Sequence, residues 1–421
     1  METQNPWWYG EEDATYMEWL QKDFKWIPPI LRDFNFKPFS LNFLVGPRQV
    51  GKTTTLKIFI HKKLLPKTDP YAVFYFSCEE LTNFRELGEI LDNYLNFRDS
   101  HNIKTSYIIL DEITFVEGWH RALKIRIDNR RLRKDVIIVS GSASLELLKQ
   151  KEYFPGRRGG GKDLIFYPLD FGNYVKVLGK LSPEICEIEN VEKCMNINKI
   201  HKTVLGRLFK EYLITGGFPL PIIEFHKRGK ISYQTKKVYI DWIKNDIRKI
   251  GKNETYMKEV ISYIIRSRCS PVSWLSISKE TSLASPHTTQ SYVEDLKTMF
   301  ITEVFYLLQP DGHVKCRKNK KIYITDPFLY QVLGEWVRET VNEDQILESL
   351  VVCTLARKYD TYYWRNGSEV DAVIPIDDRQ IGIEVKTIAK SWRKPKHLSK
   401  VIYLTRSDIP LFLASLRIQG G

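Results

Sequence analysis

The octapeptide at residues 46–53 constrains the fold of this chain more than any other feature. Its sequence, GPRQVGKT, fits the pattern G-x-x-x-x-G-K-[ST] at every fixed position. It follows a short apolar run, LNFLV, and precedes a helical pattern that begins TTLKIFIHKKLL. Glycines in such a loop let backbone N–H groups surround phosphates, and the start of the helix adds partial positive charge. The pattern therefore predicts a phosphate-binding loop between a β-strand and an α-helix.

Residue types within the loop predict the cofactors ATP and Mg²⁺. Lys52 would reach the outer phosphates, the Thr53 hydroxyl would ligate Mg²⁺, and Thr54 would assist at the first turn of the helix. The residues predicted to contact the nucleotide are Gly46, Pro47, Arg48, Gln49, Val50, Gly51, Lys52, Thr53 and Thr54.

A second apolar run, YIILDE at residues 107–112, supplies the acidic half of such a site. Asp111 would hold Mg²⁺ through water, and Glu112 would polarise the attacking water. A strand that merely ends in charged surface residues is the alternative. The next run, DVIIVSGSAS, ends in Ser140 and Ser142, whose hydroxyls would sense the outer phosphate. Serines also end strands for turn reasons alone, so this assignment has an alternative too.

Length and composition indicate several folded domains and a polyanionic partner. The chain has 421 residues, enough for about three domains. Lys+Arg 64 against Asp+Glu 51 leaves a formal net charge of +13, which favours binding to a polyanion. No stretch is apolar enough to span a membrane, and the six cysteines have no zinc-site spacing. We therefore expect free thiols, no membrane partner and a cytoplasmic location.

Residues 256–310 predict three helices followed by a hairpin, which is the plan of a winged helix. In DNA-binding proteins of this plan the third helix enters the major groove and the hairpin contacts phosphates. The residues predicted to contact DNA are His287, Thr288 and Thr289 in the helix, and Lys315, Arg317, Lys318, Lys320 and Lys321 in the hairpin. A winged helix that serves only for packing is the alternative.

Two carboxylates and a lysine form a further pattern near the end of the chain. Asp371 begins an apolar strand, and Glu384 and Lys386 end the next one. A hairpin would place the carboxylates side by side, where they would bind Mg²⁺ while Lys386 stabilises the charge of an attacked phosphate. An ordinary charged hairpin is the alternative. The layout resembles the PD-(D/E)xK nuclease core, which implies that Asp371, Glu384 and Lys386 are catalytic and that Glu348 joins the two carboxylates as a metal ligand.

Several motifs together resemble the prokaryotic, archaeal-type AAA+-like ATPases of the signal-transduction group. These are LVGPRQVGKTT, IILDEI, VSGSAS, LIFYPLDFGNY and YLITGGFPLPI. The resemblance implies that Arg157 or Arg158 is an arginine finger acting in trans within a homo-oligomer. It also implies that the turn at Gly216–Pro219 brings Pro219 to the nucleotide. Contact of the arginines with a phosphate backbone and a plain helix-ending turn are the alternatives.

These observations predict an α/β protein with a P-loop NTPase parallel sheet, a helical and winged-helix module, and a C-terminal α/β domain of restriction-endonuclease type. The predicted boundaries are 1–30 for an aromatic and acidic segment, 31–175 for the ATPase core, 176–255 for a helical lid, 256–325 for the winged helix and 326–421 for the nuclease-like domain. The predicted function is ATP hydrolysis coupled to DNA engagement, with a Mg²⁺-dependent nuclease in the last domain. The alternative is an ATP-dependent switch whose nuclease-like domain is only a docking platform.

Overall fold

A computed structural model describes residues 2–141, 147, 153–366, 368–386 and 394–418. Tertiary contacts divide the chain after Tyr167 into two compact units, and each unit is described by itself. The strands of the first unit are β1 (Ser40–Val45), β2 (Val73–Ser77), β3 (Tyr107–Asp111), β4 (Val136–Gly141) and β5 (Asp163–Ile165). Its helices are α1 (Ala14–Gln21), α2 (Lys52–Phe59), α3 (Phe84–Ser100) and α4 (Trp119–Asp128).

The first unit is built on one parallel sheet with the strand order β2-β3-β4-β1-β5. Its strands are almost continuously apolar and buried, as expected for a parallel sheet covered on both faces. The order places β1 between β4 and β5, and β3 between β2 and β4. Parallel strands end at the same edge of a sheet, so the segments that follow β1, β3 and β4 meet there. The predicted P-loop NTPase sheet is confirmed.

Two glycines allow the loop after β1 to turn into α2. A Cβ atom on Gly46 would lie 2.3 Å from the carbonyl oxygen of Phe166, so only glycine fits beside this neighbouring segment. Gly51 caps α2 with φ at 94°, a left-handed conformation that a side chain disfavours. The glycine positions of the motif are therefore explained by backbone geometry as well as by phosphate chemistry.

Side chains of the N-terminal segment pair with the edge strand β2. The Asn5 amide donates to the Tyr75 carbonyl at 2.9 Å and accepts from the Tyr75 N–H at 2.7 Å. The indole N–H groups of Trp7 and Trp8 both donate to the Val73 carbonyl at 3.0 Å. An edge strand presents backbone groups that would otherwise pair with another chain. The N-terminal segment therefore closes this edge without adding a strand.

The second unit begins with a helical region. Its helices are α5 (Phe171–Leu178), α6 (Val191–Ile197), α7 (Lys202–Thr215), α8 (Pro219–Arg228), α9 (Tyr233–Lys249), α10 (Glu254–Ser267), α11 (Trp274–Lys279), α12 (Pro286–Thr298), α13 (Pro327–Val337), α14 (Glu343–Ala356) and α15 (Ile409–Ser415). Helices α10 to α12 precede an antiparallel pair formed by β6 (Thr302–Phe305) and β9 (Lys321–Ile324). Three helices are thus followed by a ribbon, in the order that the sequence indicated.

A mixed six-stranded sheet completes the second unit. Its strands are β7 (Leu307–Leu308), β8 (Val314–Lys315), β10 (Tyr362–Asn366), β11 (Ser368–Ile376), β12 (Arg379–Lys386) and β13 (Lys400–Thr405). The order is β13-β12-β11-β10-β7-β8, with β11 antiparallel to β10 and β12, and β12 parallel to β13. The hairpin of β7 and β8, which the sequence assigned to the winged helix, therefore also extends this sheet through β10.

One expectation about the cysteines is wrong. Cys186 and Cys194 form a disulfide, whereas all six cysteines were expected to be free thiols. The two residues lie only eight positions apart, and the backbone of Cys186 is held against the chain near Ser415 by an N–H···O bond of 2.8 Å. The two Cα atoms lie 6.1 Å apart, within the range that a disulfide needs. Cys78, Cys269 and Cys353 are buried and free, and Cys316 is exposed and free.

We predict that Asn5→Ala lowers the free energy of unfolding by about 1–3 kcal/mol, because it leaves the buried N–H and C=O of Tyr75 without partners. Glu12→Ala, which changes an exposed residue of the same segment, should stay within about 0.5 kcal/mol of the parental protein. Urea unfolding followed by tryptophan fluorescence measures both values. Equal stability of the two variants would show that the N-terminal segment does not hold the edge strand.

Candidate functional site

The loop after β1 has the geometry of a phosphate-binding site. The Lys52 ammonium donates to the carbonyl oxygens of Gly46 and Pro47, each at 2.9 Å, so it lies inside the curl of the loop. Thr55 donates its N–H to the Gly51 carbonyl at 2.9 Å, which begins the α2 hydrogen-bond ladder. Within the loop and the following turn, Gly46, Pro47, Val50 and Lys52 are buried, Arg48, Gly51, Thr53 and Thr54 are half-buried, and Gln49 is exposed.

Asp111, at the end of β3, is the centre of a hydrogen-bond network. The Thr53 hydroxyl donates to its Oδ2 at 2.7 Å, and the backbone N–H of Glu112 donates to its Oδ1 at 3.0 Å. Ser140, at the end of β4, donates a short hydrogen bond to Oδ1. A carboxylate beside the threonine of the loop is the donor set that Mg²⁺ prefers, so these residues fit the predicted ion. The predicted neighbours Thr53 and Asp111 therefore meet, and Ser140 joins them.

Glu112 and Ser142 were also predicted to belong to this site. Glu112 is half-buried at the end of β3, with φ at 50°. Glu112 therefore follows Asp111 in the left-handed region, which is uncommon for a residue other than glycine and is found at functional sites. Ser142, the second predicted phosphate sensor, lies outside the described residues.

Tyr75 is a member of the network that the sequence did not reveal. Its hydroxyl donates to Oδ2 of Asp111 at 2.9 Å, from the neighbouring strand β2. Burial, followed by the nearby Asp111, raises the pKa of Tyr75, so the phenol stays a neutral donor. The ammonium of Lys57 lies 3.6 Å from the centre of the Tyr75 ring and 2.8 Å from the carboxylate of Asp13. No motif marks these residues, because only the strand order places β2 beside β3.

Both candidate arginine fingers form ion pairs within the chain. Arg157 Nε lies 2.6 Å from Asp128, and both side chains are partly exposed. Arg158 lies 2.6 Å from Asp163, and its guanidinium stacks 4.7 Å from the ring of Phe43. A partly exposed ion pair is weak and exchanges with solvent, whereas Arg158 is also held by an aromatic face. Arg157 is therefore the more available of the two.

The glycine turn before α8 packs inside the second unit. A Cβ atom on Gly216 would lie 1.9 Å from Oδ1 of Asp326, and the Gly217 N–H donates to Oδ2 of Asp326 at 2.9 Å. Burial raises the pKa of Asp326 to about 6. Gly217 also accepts from the Leu169 N–H at 2.9 Å. Both glycines are thus required by close packing, and the nucleotide contact of Pro219 stays a prediction.

The predicted DNA-contacting residues divide into exposed and buried groups. His287, Lys315, Arg317 and Lys318 are exposed, and Thr288 is half-buried. Thr289 is buried and donates its hydroxyl to the Ser285 carbonyl at 3.2 Å. Lys320 is buried, with its ammonium 4.1 Å from the ring centre of Trp274, and Lys321 is buried as well. In this structure Thr289, Lys320 and Lys321 cannot contact a DNA backbone, because tertiary packing has already enclosed their polar groups.

The predicted nuclease residues come together in the second unit. Ala372 on β11 pairs with Ile383 on β12, so Asp371 and Glu384 are the next residues along the two strands. Asp371 accepts from the Val385 N–H at 2.9 Å, and Lys386 lies 2.6 Å from Glu384. Glu348 on α14 belongs to the same cluster. The side-by-side placement expected of the hairpin is thus present.

An unexpected cation lies among these carboxylates. The ammonium of Lys321, at the start of β9, is 2.8 Å from Glu348, 2.6 Å from Glu369 and 2.8 Å from Asp371. The Tyr323 hydroxyl also donates to Glu348 at 2.6 Å. The sequence assigned Lys321 to DNA because it closes a run of basic residues, and it gave no sign that the chain turns inward at Lys320 and Lys321.

Burial and mutual repulsion shift the protonation of the acidic residues. Burial and the neighbouring Asp371 raise the pKa of Glu384 to about 8 and that of Glu348 to about 7. Burial alone would raise the pKa of Asp371 too, but the Lys321 ammonium outweighs it and lowers this pKa. The charge of Asp371 is thus matched by Lys321, whereas burial and repulsion from Asp371 disfavour the charged forms of Glu348 and Glu384.

The cluster does not fit the predicted Mg²⁺. Within residues 2–141, 147, 153–366, 368–386 and 394–418, no three or more His, Cys, Asp and Glu side chains are arranged to hold a metal ion. The physical reason is that Lys321 bonds to Glu348 and Asp371, two of the three predicted ligands. An ion beside this ammonium would meet a positive charge at close range in a buried site.

Comparison with known proteins agrees with the first-unit fold. Residues 39–175 match the AAA domain family (AAA_14), and residues 206–340 match a domain of unknown function, DUF8612. An uncharacterized protein of Haemophilus influenzae is 25% identical over 266 residues, which are 60% of this chain. The match spans 58% of the length of that relative.

Solved structures with partial similarity include the Walker-type ATPase PABY2304 of Pyrococcus abyssi. It has a TM-score of 0.43 and 14% identity, over 79% of this chain and 95% of that one. The ORC2 protein of Aeropyrum pernix, in ADPNP–ADP complexes, has a TM-score of 0.40 and 10% identity over 73% of this chain and 92% of that one. The ORC1 protein of the same organism, in complex with DNA, has a TM-score of 0.31 and 14% identity over 73% and 88%.

Among the helices of the described residues, none combines the length and the apolar character needed to cross a bilayer. Sheet order, loop geometry and the match to the AAA domain family together show that the first unit has a P-loop NTPase fold.

We predict that Tyr75→Phe raises the Mg²⁺ concentration needed for tight ATP binding about tenfold or more. The reason is that a hydrogen bond to a charged group contributes about 1.5–3 kcal/mol, and Asp111 would lose one of those that orient it. Titration of a fluorescent ATP analogue at several Mg²⁺ concentrations measures the shift. Tyr94→Phe is the control, because its hydroxyl donates to the Tyr71 carbonyl and not to Asp111. The same shift in both variants would contradict a specific role for Tyr75.

Proposed function

We propose that the first unit binds ATP with Mg²⁺ and hydrolyses it, and that the second unit engages DNA. The observation that carries the first part is the hydrogen bond between Thr53 and Asp111 beside the curl that surrounds the Lys52 ammonium. These three groups are the side chains that phosphate and Mg²⁺ require, and they come from a loop and a strand end that the sheet order brings together.

Each residue has a defined part in ATP hydrolysis. Lys52 would exchange its two loop carbonyls for oxygens of the outer phosphates, which are stronger partners because they are charged. Thr53 and Asp111 would hold Mg²⁺, the threonine directly and the aspartate through water. Bound Mg²⁺ supplies positive charge to the phosphate oxygens. Glu112 would orient and polarise the attacking water, and Ser140 and Tyr75 would keep the Asp111 carboxylate in place.

Arg157 is the proposed residue for action between subunits. Its ion pair with Asp128 is partly exposed, so a phosphate of a neighbouring subunit would compete with that carboxylate for the guanidinium. Arg158 would have to leave both Asp163 and the face of Phe43. The proposed homo-oligomer thus rests on the more available arginine.

The DNA part of the proposal rests on the hairpin of β7 and β8 and on the segment that joins it to β9. Residues 311–319 are exposed throughout, and they include Lys315, Arg317 and Lys318. Exposed cations on one short hairpin suit contact with successive phosphates. His287 is exposed at the first turn of α12 and would lie near the bases in a winged-helix arrangement.

Between cutting and binding DNA, the structure favours binding. Two of the three carboxylates predicted to hold Mg²⁺ for cleavage, Glu348 and Asp371, are bonded to Lys321 instead. This observation supports the alternative in which ATP controls a binding surface and the nuclease-like sheet is a platform. The proposed role of the second unit is therefore recognition of DNA.

We predict that Lys52→Ala abolishes phosphate release, because the lysine brings the cation to the outer phosphates. Glu112→Gln should retain ATP binding while slowing turnover about 10²- to 10⁴-fold, since it removes the group that polarises water. Phosphate release and binding of a labelled ATP, measured on the same preparations, separate the two effects.

Lys63→Ala is the matched control for Lys52→Ala, because Lys63 is an exposed lysine that follows the same helix. It should retain parental turnover. If the Glu112→Gln variant hydrolyses ATP at the parental rate, the role assigned to Glu112 is wrong.

We predict that DNA affinity depends steeply on salt. With ~6 to 10 phosphate contacts, it should fall by about 10³- to 10⁵-fold between about 50 and 200 mM salt. Replacing Lys315, Arg317 and Lys318 by alanine removes up to about three phosphate contacts. The slope of log affinity against log salt should therefore become shallower by up to about three units. Fluorescence anisotropy with labelled duplex DNA measures the slope.

A second basic stretch provides the control for charge alone. Lys227, Arg228 and Lys230 are exposed and have the same composition of two lysines and one arginine. Their replacement by alanine changes the net charge equally and should leave the slope closer to the parental value. An unchanged slope in the Lys315, Arg317 and Lys318 variant would leave the hairpin as a structural element.

A further inference from the structure

Lys321 is a buried cation with three carboxylate partners. Its side chain is 1% exposed, and its ammonium lies 2.8 Å from Glu348, 2.6 Å from Glu369 and 2.8 Å from Asp371. An ammonium has three N–H donors, so one carboxylate oxygen for each satisfies its capacity. Burial by itself would lower the pKa of Lys321, but the three carboxylates raise it. Lys321 is therefore charged in the folded protein.

The partners of Lys321 come from separate elements that converge on one point. Glu348 lies on α14, and Glu369 and Asp371 lie on β11. The three carboxylates thus surround the ammonium from one helix and one strand. The distances are about 0.5–0.8 Å longer than Mg²⁺–oxygen bonds, as an ammonium requires.

Glu384 adds an independent observation. It is fully buried, and its Oε2 has no hydrogen-bond partner, although Lys386 lies 2.6 Å from Oε1. Buried carboxylate oxygens are normally satisfied, so an open oxygen in this cluster marks a position where a further cation ligand is available. Asp371, its neighbour on the paired strand β11, is also a partner of Lys321.

We propose that the ammonium of Lys321 is the resident cation of this acidic site and excludes divalent metal, and that its removal opens a site for Ca²⁺ or Mn²⁺. The inference does not depend on ATP hydrolysis. A larger ion than Mg²⁺ is expected because the carboxylate cage is sized for an ammonium, and Ca²⁺ takes oxygens at about 2.3–2.6 Å. Glu348, Glu369 and Asp371 would be the ligands, and Glu384 lies on the strand paired with that of Asp371.

Lys321 also fixes the end of the exposed segment that precedes it in the chain. Lys321 follows directly after the exposed hairpin residues 311–319 and the buried Lys320. The backbone of Lys320 exchanges two hydrogen bonds of 2.9 Å with Val272, and the Tyr363 hydroxyl donates to the Asn319 carbonyl at 2.5 Å. Lys321 thus anchors the end of the proposed DNA-contacting hairpin to the carboxylates of α14 and β11.

The test compares Lys321→Ala with the parental protein and with Lys386→Ala. The alanine variant removes the cage cation and leaves space, whereas Lys386→Ala removes a lysine that pairs with Glu384 and leaves Lys321 in place. All proteins are full-length and nucleotide-free, and Ca²⁺ and Mn²⁺ binding is measured by isothermal titration calorimetry and Mn²⁺ electron paramagnetic resonance. Ion binding in the first unit is common to all three proteins and cancels in the difference.

We expect Lys321→Ala to gain one divalent site per chain relative to the parental protein and to Lys386→Ala. Its melting temperature should rise with Ca²⁺ or Mn²⁺, since an ion that binds only the folded state stabilises it. A further Asp371→Asn change in the Lys321→Ala protein should remove the gained site. The parental protein should show no ion binding that Asp371→Asn abolishes.

Three outcomes would overturn the proposal. The first is saturable Ca²⁺ or Mn²⁺ binding by the parental protein that is lost in Asp371→Asn. The second is a folded Lys321→Ala protein without an added site. Removal of the cation leaves buried carboxylates unpaired, so Lys321→Ser is a second variant that retains a polar group. The third is that neither Lys321→Ala nor Lys321→Ser folds even when Ca²⁺ or Mn²⁺ is added. Folding that occurs only in the presence of the ion would support the proposal.

Discussion

Four hydrogen bonds to the buried carboxylate of Asp111 hold the carboxyl edge of the first sheet together. They come from Thr53 at the start of α2, from Tyr75 on β2, from Ser140 on β4 and from the backbone of Glu112. A buried carboxylate without such partners would cost several kcal/mol. The ends of β2, β3 and β4 and the start of α2 must therefore lie close together around Asp111. The geometry of the proposed ATP site is a consequence of satisfying this one charge.

The N-terminal segment is connected to that charge through Tyr75. Asn5 pairs with the backbone of Tyr75, and Lys57 places its ammonium over the Tyr75 ring while binding Asp13 of the same segment. Burial lowers the pKa of Lys57, against the opposing effect of Asp13. Tyr75 thus takes part both in closing the sheet edge, through its backbone, and in orienting Asp111, through its hydroxyl. A segment without any recognisable motif contributes to the site by supporting the residue that touches Asp111.

In the second unit, buried negative charge is balanced by a lysine of the chain itself. Lys321 binds three carboxylates, and burial together with repulsion from Asp371 raises the pKa of Glu348 and of Glu384. Because the lysine already balances the carboxylates of this buried network, a metal ion could bind there only by displacing the lysine. Loss of the lysine without replacement would leave uncompensated charge, so the network specifies how the end of the hairpin packs. The nuclease-like layout of the sequence is compatible with a structural role.

Local patterns in the sequence determined the parallel sheet, the phosphate-binding loop and the adjacent strands that carry Asp371 and Glu384. Each of these depends on spacing, on apolar runs or on glycine geometry, which act between residues near in sequence. Only the tertiary structure decided that Tyr75 reaches Asp111, that Cys186 meets Cys194 and that Lys321 turns inward while Lys318 stays exposed. A lysine in a basic run has the same sequence signature whether it faces solvent or three carboxylates. Burial and pairing arise from contacts between distant segments, and those contacts exist only once the chain has folded.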